Sequence, residues 1–218
     1  MHGETTAKWG SSPPQAILSD SGAVTAKKLP QFYPDADAQH QLPPDSLQIR
    51  SQLLGLCGYC LLAYDWLQPL AAWIGARKCL EIMCGSGALS KGLQDCGVSV
   101  RATDDFSWDK EHTTDWFRNG WTKLEEMPAL QAIETYGRDV DFIICSWPFL
   151  SEDCYQALLK MREVNPAACM IFIGEWRGAT ASDSFFDVAE IVEDAAFQQA
   201  VANFKSIYQV QDRPYLIR

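Results

Sequence analysis

Four short clusters in this 218-residue chain carry residue types able to bind a ligand or act on it. The first is Glu81-Ile82-Met83-Cys84-Gly85-Ser86-Gly87, an acid followed by a run of small residues. Glycines let backbone come close to a ligand, and a helix that follows presents free N–H groups. The second is Asp104-Asp105, which begins 17 residues beyond Gly87. A carboxylate in that place can accept both hydroxyls of a ribose. The third is Ser146-Trp147-Pro148-Phe149, and the fourth is Glu175-Trp176-Arg177. Each follows an apolar run of strand length: 78–83, 98–103, 139–147 and 169–175. In open α/β sheets ligands bind outside the carboxyl ends of the strands. The four clusters are therefore expected along one edge of one sheet.

Taken together, these residues resemble the class I S-adenosylmethionine-dependent methyltransferases, whose fold is Rossmann-like. The family's first motif is an acid followed by a glycine-rich loop, E/D-x-G-x-G-x-G. Here Glu81, Gly85 and Gly87 match it, and Met83 stands in place of the first glycine. The resemblance implies S-adenosylmethionine as cofactor, held by Glu81, Met83, Cys84, Gly85 and Gly87. It puts Asp104 on the ribose, Asp105 beside the adenine, and the adenine contacts after the third strand near Glu126 and Met127. The family's amino-group methyltransferases often carry an Asp/Asn/Ser-Pro-Pro-aromatic tetrad after the fourth strand. Ser146, Pro148 and Phe149 match it, and Trp147 replaces the first proline. The resemblance makes Ser146, Trp147 and Pro148 the catalytic turn and favours an amine acceptor. Phe149, Glu175, Trp176 and, from the N-terminal arm, Tyr33 are candidates for substrate contact. Glu175 has two readings, as partner of a cationic amine or of Arg177. Methyl transfer from a sulfonium has a neutral leaving group and needs positioning and desolvation more than acid–base help. Few bases are on offer: the histidines are His2, His40 and His112.

These clusters need elements to hold them. Strands alternating with helices specify a doubly wound, mostly parallel sheet with helices on both faces. Residues 88–96 and 152–164 read as helices, closed at Gly97 and at Asn165-Pro166. A short third strand is expected at 121–125, with a helix over 128–136. Thr180 and Asp183 resemble a capping box that opens helix over 183–202, with breaks. The runs 204–210 and 214–218 read as two strands joined by a three-residue turn, which makes them antiparallel. The resemblance adds a seven-stranded sheet whose final strand is antiparallel. Residues 1–44 hold six prolines and little periodicity, and form an irregular arm able to act as a lid. Residues 45–218 form the domain, with upstream helices at 45–77 and the cofactor core at 78–218. Pro69 is expected to start the second upstream helix, and Ser51 to Tyr64 to form a buried one. Cys57 and Cys60 then sit on that helix as small apolar residues. A metal site is not expected.

The net charge of −10, from 18 Lys+Arg against 28 Asp+Glu, opposes a broad grip on nucleic acid. Residues 78–218 alone hold 13 basic and 22 acidic side chains. The longest apolar stretch, Ser51 to Tyr64, is too short to span a membrane. With no apolar leader in MHGETTAKWGSSPPQ and eight cysteines mostly in apolar runs, a reducing, cytoplasmic setting is expected. Five of the eight tryptophans, Trp108, Trp116, Trp121, Trp147 and Trp176, fall in loops or at strand ends. They suggest an aromatic pocket in an acidic surface, suited to a small or cationic acceptor. Three other readings compete: a nucleic-acid or protein methyltransferase, a non-catalytic cofactor-binding protein, and an NAD-dependent oxidoreductase. The last needs a glycine or alanine where Ser90 stands, to complete G-x-G-x-x-G.

Overall fold

The structure is a computed structural model and describes residues 28–33, 40–44, 57–108 and 119–218. Expectations for the first 27 residues, for the helix beginning after Pro44, and for His112 and Trp116 lie outside the described residues. In chain order the elements are α1 (Tyr64–Ile74), β1 (Lys78–Ile82), α2 (Ala88–Asp95), β2 (Ser99–Asp104), β3 (Leu124–Glu126), α3 (Ala129–Tyr136), β4 (Phe142–Ser146), α4 (Asp153–Val164), β5 (Cys169–Glu175), α5 (Asp183–Val188), α6 (Ala195–Ala200) and β6 (Asp212–Ile217).

Among the described residues the sheet has six strands, in the order β3-β2-β1-β4-β5-β6. Five run parallel, and β6 runs antiparallel to β5 in the register Glu175↔Asp212 to Met170↔Ile217. This is the doubly wound, Rossmann-like order with its last strand reversed. The expected hairpin does not form. In residues 204–210 the buried side chains Phe204, Ile207 and Val210 recur every third residue, so the segment coils rather than alternates. Val210 N–H donates to the Ile207 carbonyl at 2.9 Å, and Gln209 has a φ of 63°. The free edge of β6 is covered instead by Glu190–Val192, through the Ile191↔Ile217 bridge and the hydrogen bonds on either side.

Strand side chains point alternately to the two faces, and each face has its own core. Cys79, Phe142, Ile144, Ile171 and Ile173 pack against α1, α2 and α6. Leu80, Ile82, Ile143, Cys145, Met170 and Phe172 pack against α3, α4 and α5. Near-continuous apolar runs in β1, β4 and β5 are what burial on both faces requires.

Residues 57–63 are not helical, so Cys57 and Cys60 lie on a loop. Gly58, at a φ of 103°, takes a conformation closed to other residues and breaks any helix there. The upstream helix begins at Tyr64 and runs through Pro69. A proline inside a helix leaves the carbonyl four residues earlier without its donor. That carbonyl belongs to Asp65, and the Asn203 side-chain amide donates to it at 3.1 Å. Ala63 offers no capping side chain. The arm supplies the cap: Tyr64 and Asp65 N–H donate to the Pro30 and Gln31 carbonyls at 3.0 and 2.8 Å. Ser182, not Thr180, caps α5, because the Thr180 hydroxyl donates to the Glu175 carbonyl. Trp66 is buried in the core and Trp73, seven residues on, packs half-buried against it.

Candidate functional site

The carboxyl ends of β1, β2 and β4 open into one cavity of about 480 Å3. Its floor is the turn after β1. Met83 has a φ of 52°, so the residue replacing the family's first glycine keeps a left-handed backbone, at a steric cost of about 1 kcal/mol. Gly85 N–H donates to Asp104 Oδ2 at 2.7 Å, which joins the β1 turn to the end of β2. Asp104 Oδ1 accepts from Phe106 N–H at 2.7 Å and from the Trp108 indole at 3.2 Å. Burial pushes the Asp104 carboxyl above its usual range, and these donors oppose the rise.

Glu81 is 2% exposed and lies below the loop. Its carboxylate accepts from both the hydroxyl and the N–H of Ser90, which anchors the start of α2 to β1. Burial pushes its carboxyl up to about 7 against those donors. Gly87 caps α2 at a φ of 70° and does not line the cavity. A Cβ there would meet Leu124 Cδ2 at 2.5 Å, so its role is close packing of β3 against the helix start.

Ser146, Trp147, Pro148 and Phe149 line the opposite side. Trp147 has a φ of 51°. Proline is locked near −65° and cannot adopt that conformation. The turn therefore differs in backbone path from a Ser-Pro-Pro-aromatic turn, not only in one side chain. Trp147 stacks on Tyr59, with ring centroids 5.1 Å apart and planes at 16°. Its indole N–H donates to Asp212 Oδ2 at 2.8 Å.

Eleven candidates from sequence come together in this cavity: Glu81, Met83, Cys84, Gly85, Asp104, Asp105, Met127, Ser146, Trp147, Pro148 and Phe149. Five do not line it. Glu126 is exposed and pairs with Asp104 through strand backbone. Gly87 packs on β3, as above. Glu175 does not pair with Arg177: its oxygens accept from Gln211 and Ala179 N–H at 2.9 and 3.0 Å, while Arg177 pairs with Asp187. Trp176 turns into the core against Phe186 and Tyr215, at 5.0 and 5.1 Å between ring centroids. Tyr33 is buried beside Cys57, Cys60 and Asp65, and burial pushes its hydroxyl well up.

The residues missed from sequence include the 57–62 loop, which brings in Cys60 and Tyr59, Leu89 and Ser107, the start of α3 with Pro128 before it, and Asp153 and Gln156 of α4. Gly58 was the available signal for the loop, set in a stretch that otherwise reads as helix. Of the expected aromatic set, Trp108 and Trp147 line the cavity, and Trp121 is buried in the core. Among the described residues no group of three His, Cys, Asp or Glu is placed to hold a metal ion. None of their helices is long and apolar enough to cross a membrane.

No family model and no curated protein matches the chain. Solved structures do match. Magnesium protoporphyrin IX methyltransferase from Synechocystis, with bound S-adenosylmethionine, is 14% identical over 70% of this chain and 77% of its own, with a TM-score of 0.40. A TehB-like S-adenosylmethionine-dependent methyltransferase from Corynebacterium glutamicum is 14% identical over 79% and 96%, with a TM-score of 0.44. The mitomycin 7-O-methyltransferase MmcR is 14% identical over 70% and 52%, with a TM-score of 0.40. Similarity at this level is similarity of fold.

Proposed function

We propose that the chain is an S-adenosylmethionine-dependent methyltransferase that acts on a small molecule, with an amine as the favoured acceptor. The observation that carries this is one cavity holding both Asp104, tied to the Gly85 turn, and the Ser146–Phe149 turn. The cavity's chemistry fits the cofactor. Asp104 and Asp105 place carboxylates at the ribose and adenine end, with Asp104 3% exposed and already accepting from Gly85, Phe106 and Trp108, and Met83, Leu89 and Met127 offer apolar walls. The Gly85 turn offers backbone to an amino-acid portion. When bound, the cofactor supplies a methyl group on cationic sulfur.

This chain's own residues then position the acceptor. The Ser146 hydroxyl and the turn carbonyls hydrogen-bond an N–H and aim its lone pair across the cavity. Tyr59, Trp147 and Phe149 exclude water from the reacting centre. Among the described residues that line the cavity are Glu81, Asp104, Asp105 and Asp153, and no Lys, Arg or His. The exposed carboxylates among them, Asp105 and Asp153, attract a cationic amine and repel an anionic acceptor. The amine reading rests on this wall and on Ser146, because the Trp147 turn is not the family's tetrad.

A non-catalytic S-adenosylmethionine-binding protein is the second reading, favoured by that same departure at Trp147. The net charge opposes a nucleic-acid target. An NAD-dependent oxidoreductase is opposed by Ser90, whose hydroxyl is tied to Glu81 where the dinucleotide motif has glycine or alanine for close packing. Calorimetry with S-adenosylhomocysteine and NAD separates the methyltransferase reading from the oxidoreductase, and turnover separates it from a non-catalytic binder. Binding of S-adenosylhomocysteine alone is expected, and binding of NAD alone overturns the reading. Methyl transfer from tritiated S-adenosylmethionine to benzylamine or tryptamine tests the acceptor class.

A further inference from the structure

Asp212 opens β6 and is 2% exposed. Its Oδ2 accepts from the Trp147 indole at 2.8 Å, and its Oδ1 is buried without a hydrogen-bond partner. A buried carboxylate left half satisfied costs stability, and a neutral acceptor of the same shape costs less. Burial pushes this carboxyl up to about 6, although the Trp147 indole favours its charge; the Ser206 hydroxyl donates instead to the Asp212 backbone carbonyl at 2.9 Å. Trp147 carries a second cost, a bulky side chain at a positive φ. Both costs meet at one hydrogen bond on the wall of the cavity. Trp147 is the middle of a chain of contacts: Asp212 behind it, Tyr59 stacked in front, and Ser146 and Pro148 on either side. The Trp147 N–H is also fixed, on the Ile173 carbonyl at 2.7 Å.

We propose that Asp212 is a positioning residue for the acceptor side of the cavity, clamping the Trp147 indole so that Ser146 and Tyr59 face the acceptor. The inference rests on the methyltransferase reading above. Asp212 itself does not line the cavity, and it acts through Trp147. The Gly85–Asp104 link lies on the other strand ends and does not pass through this clamp.

The test uses the full chain labelled with 15N, with the Trp147 indole signal assigned by its loss in Trp147→Phe. In Asp212→Leu that indole N–H is expected to exchange with water at least tenfold faster. Asp212→Asn, which keeps an acceptor, should restore most of the protection. Affinity for S-adenosylhomocysteine should stay within twofold in all three variants. Turnover of benzylamine or tryptamine should fall at least tenfold in Asp212→Leu and in Trp147→Phe, and no further in the double variant. An unchanged indole signal, unchanged turnover, or additive losses in the double variant overturn the inference. If Asp212→Leu does not fold, Trp147→Phe with turnover at the wild-type level does so by itself. A wild type that fails to bind S-adenosylhomocysteine sinks the methyltransferase reading instead. The indole signal needs no acceptor and decides the clamp in either case.

Discussion

Gly85 N–H and Asp104 Oδ2 stand 2.7 Å apart, so the loop after β1 and the end of β2 form one unit. Asp104 also accepts from Phe106 and Trp108, which gathers three donors from two loops around one carboxylate. Hydrogen bonds to a charged group contribute about 1.5–3 kcal/mol each. Losing the carboxylate frees the Gly85 turn and the loop after β2 that form the cofactor end of the cavity, so Asp104→Ala should weaken binding of S-adenosylhomocysteine at least tenfold by calorimetry. Unchanged affinity in a folded variant removes Asp104 from the cofactor site.

Ser146 lies across the cavity from that unit and makes no contact with Gly85 or Asp104 in the hydrogen-bond network. Ser146→Ala should keep cofactor affinity within about twofold and lower kcat, by roughly tenfold for one lost positioning hydrogen bond. An equal loss in cofactor affinity would place Ser146 on the cofactor side instead.

Burial raises the carboxyls of Glu81, to about 7, and of Asp212, to about 6, and raises those of Asp65 and Asp104 in the same direction. A carboxyl raised on folding binds more protons in the folded chain than in the unfolded one. Stability then rises as pH falls through the window between the folded and unfolded values. Urea unfolding should show the chain more stable at pH 5.5 than at pH 7.5, by on the order of 2 kcal/mol. Glu81→Gln should flatten that slope. A slope of opposite sign would show both groups to be better solvated than their burial implies.

Gly92 sits where α2 meets the arm and α1. A Cβ there would lie 2.7 Å from both Leu29 Cδ1 and Leu67 Cδ1. Gly92→Ala should cost about 1–3 kcal/mol by overpacking, despite alanine's better helix propensity. Gly97→Ala makes a useful contrast. Its Cβ meets nothing, so its cost comes from the φ of 89° alone. Equal stability of Gly92→Ala and wild type, by thermal melting, would mean that Leu29 is not held against the helix.

The helices and strands of the cofactor half were legible because each carries its own signal. KCLEI, FIICS and CMIFIGE are apolar because both faces of a parallel strand are buried. Gly97 and Asn165-Pro166 stop helices by local chemistry that needs no partner. The carboxyl-edge position of Asp104 and of the Ser146 turn follows from that pattern, since ligands collect at those strand ends.

Other features depend on residues far away in the chain. Helix through Pro69 exists because Asn203 takes up the Asp65 carbonyl, 138 positions away. The arm's cap on α1 likewise rests on long-range backbone partners, and the 57–60 loop takes the Ser86 hydroxyl on its Cys57 carbonyl. Glu175 and Trp176 end a strand at the right edge, yet loop N–H groups and core rings claim their side chains. Residues 204–210 look like a strand by composition, and coil because their apolar side chains bury in steps of three. The sequence by itself determined the doubly wound sheet and the acid and glycine loop, because periodicity and local backbone preference are written residue by residue. Tertiary structure alone decided the left-handed Trp147 and its bond to Asp212, because strain at one residue is offset only by a partner that folding brings to it.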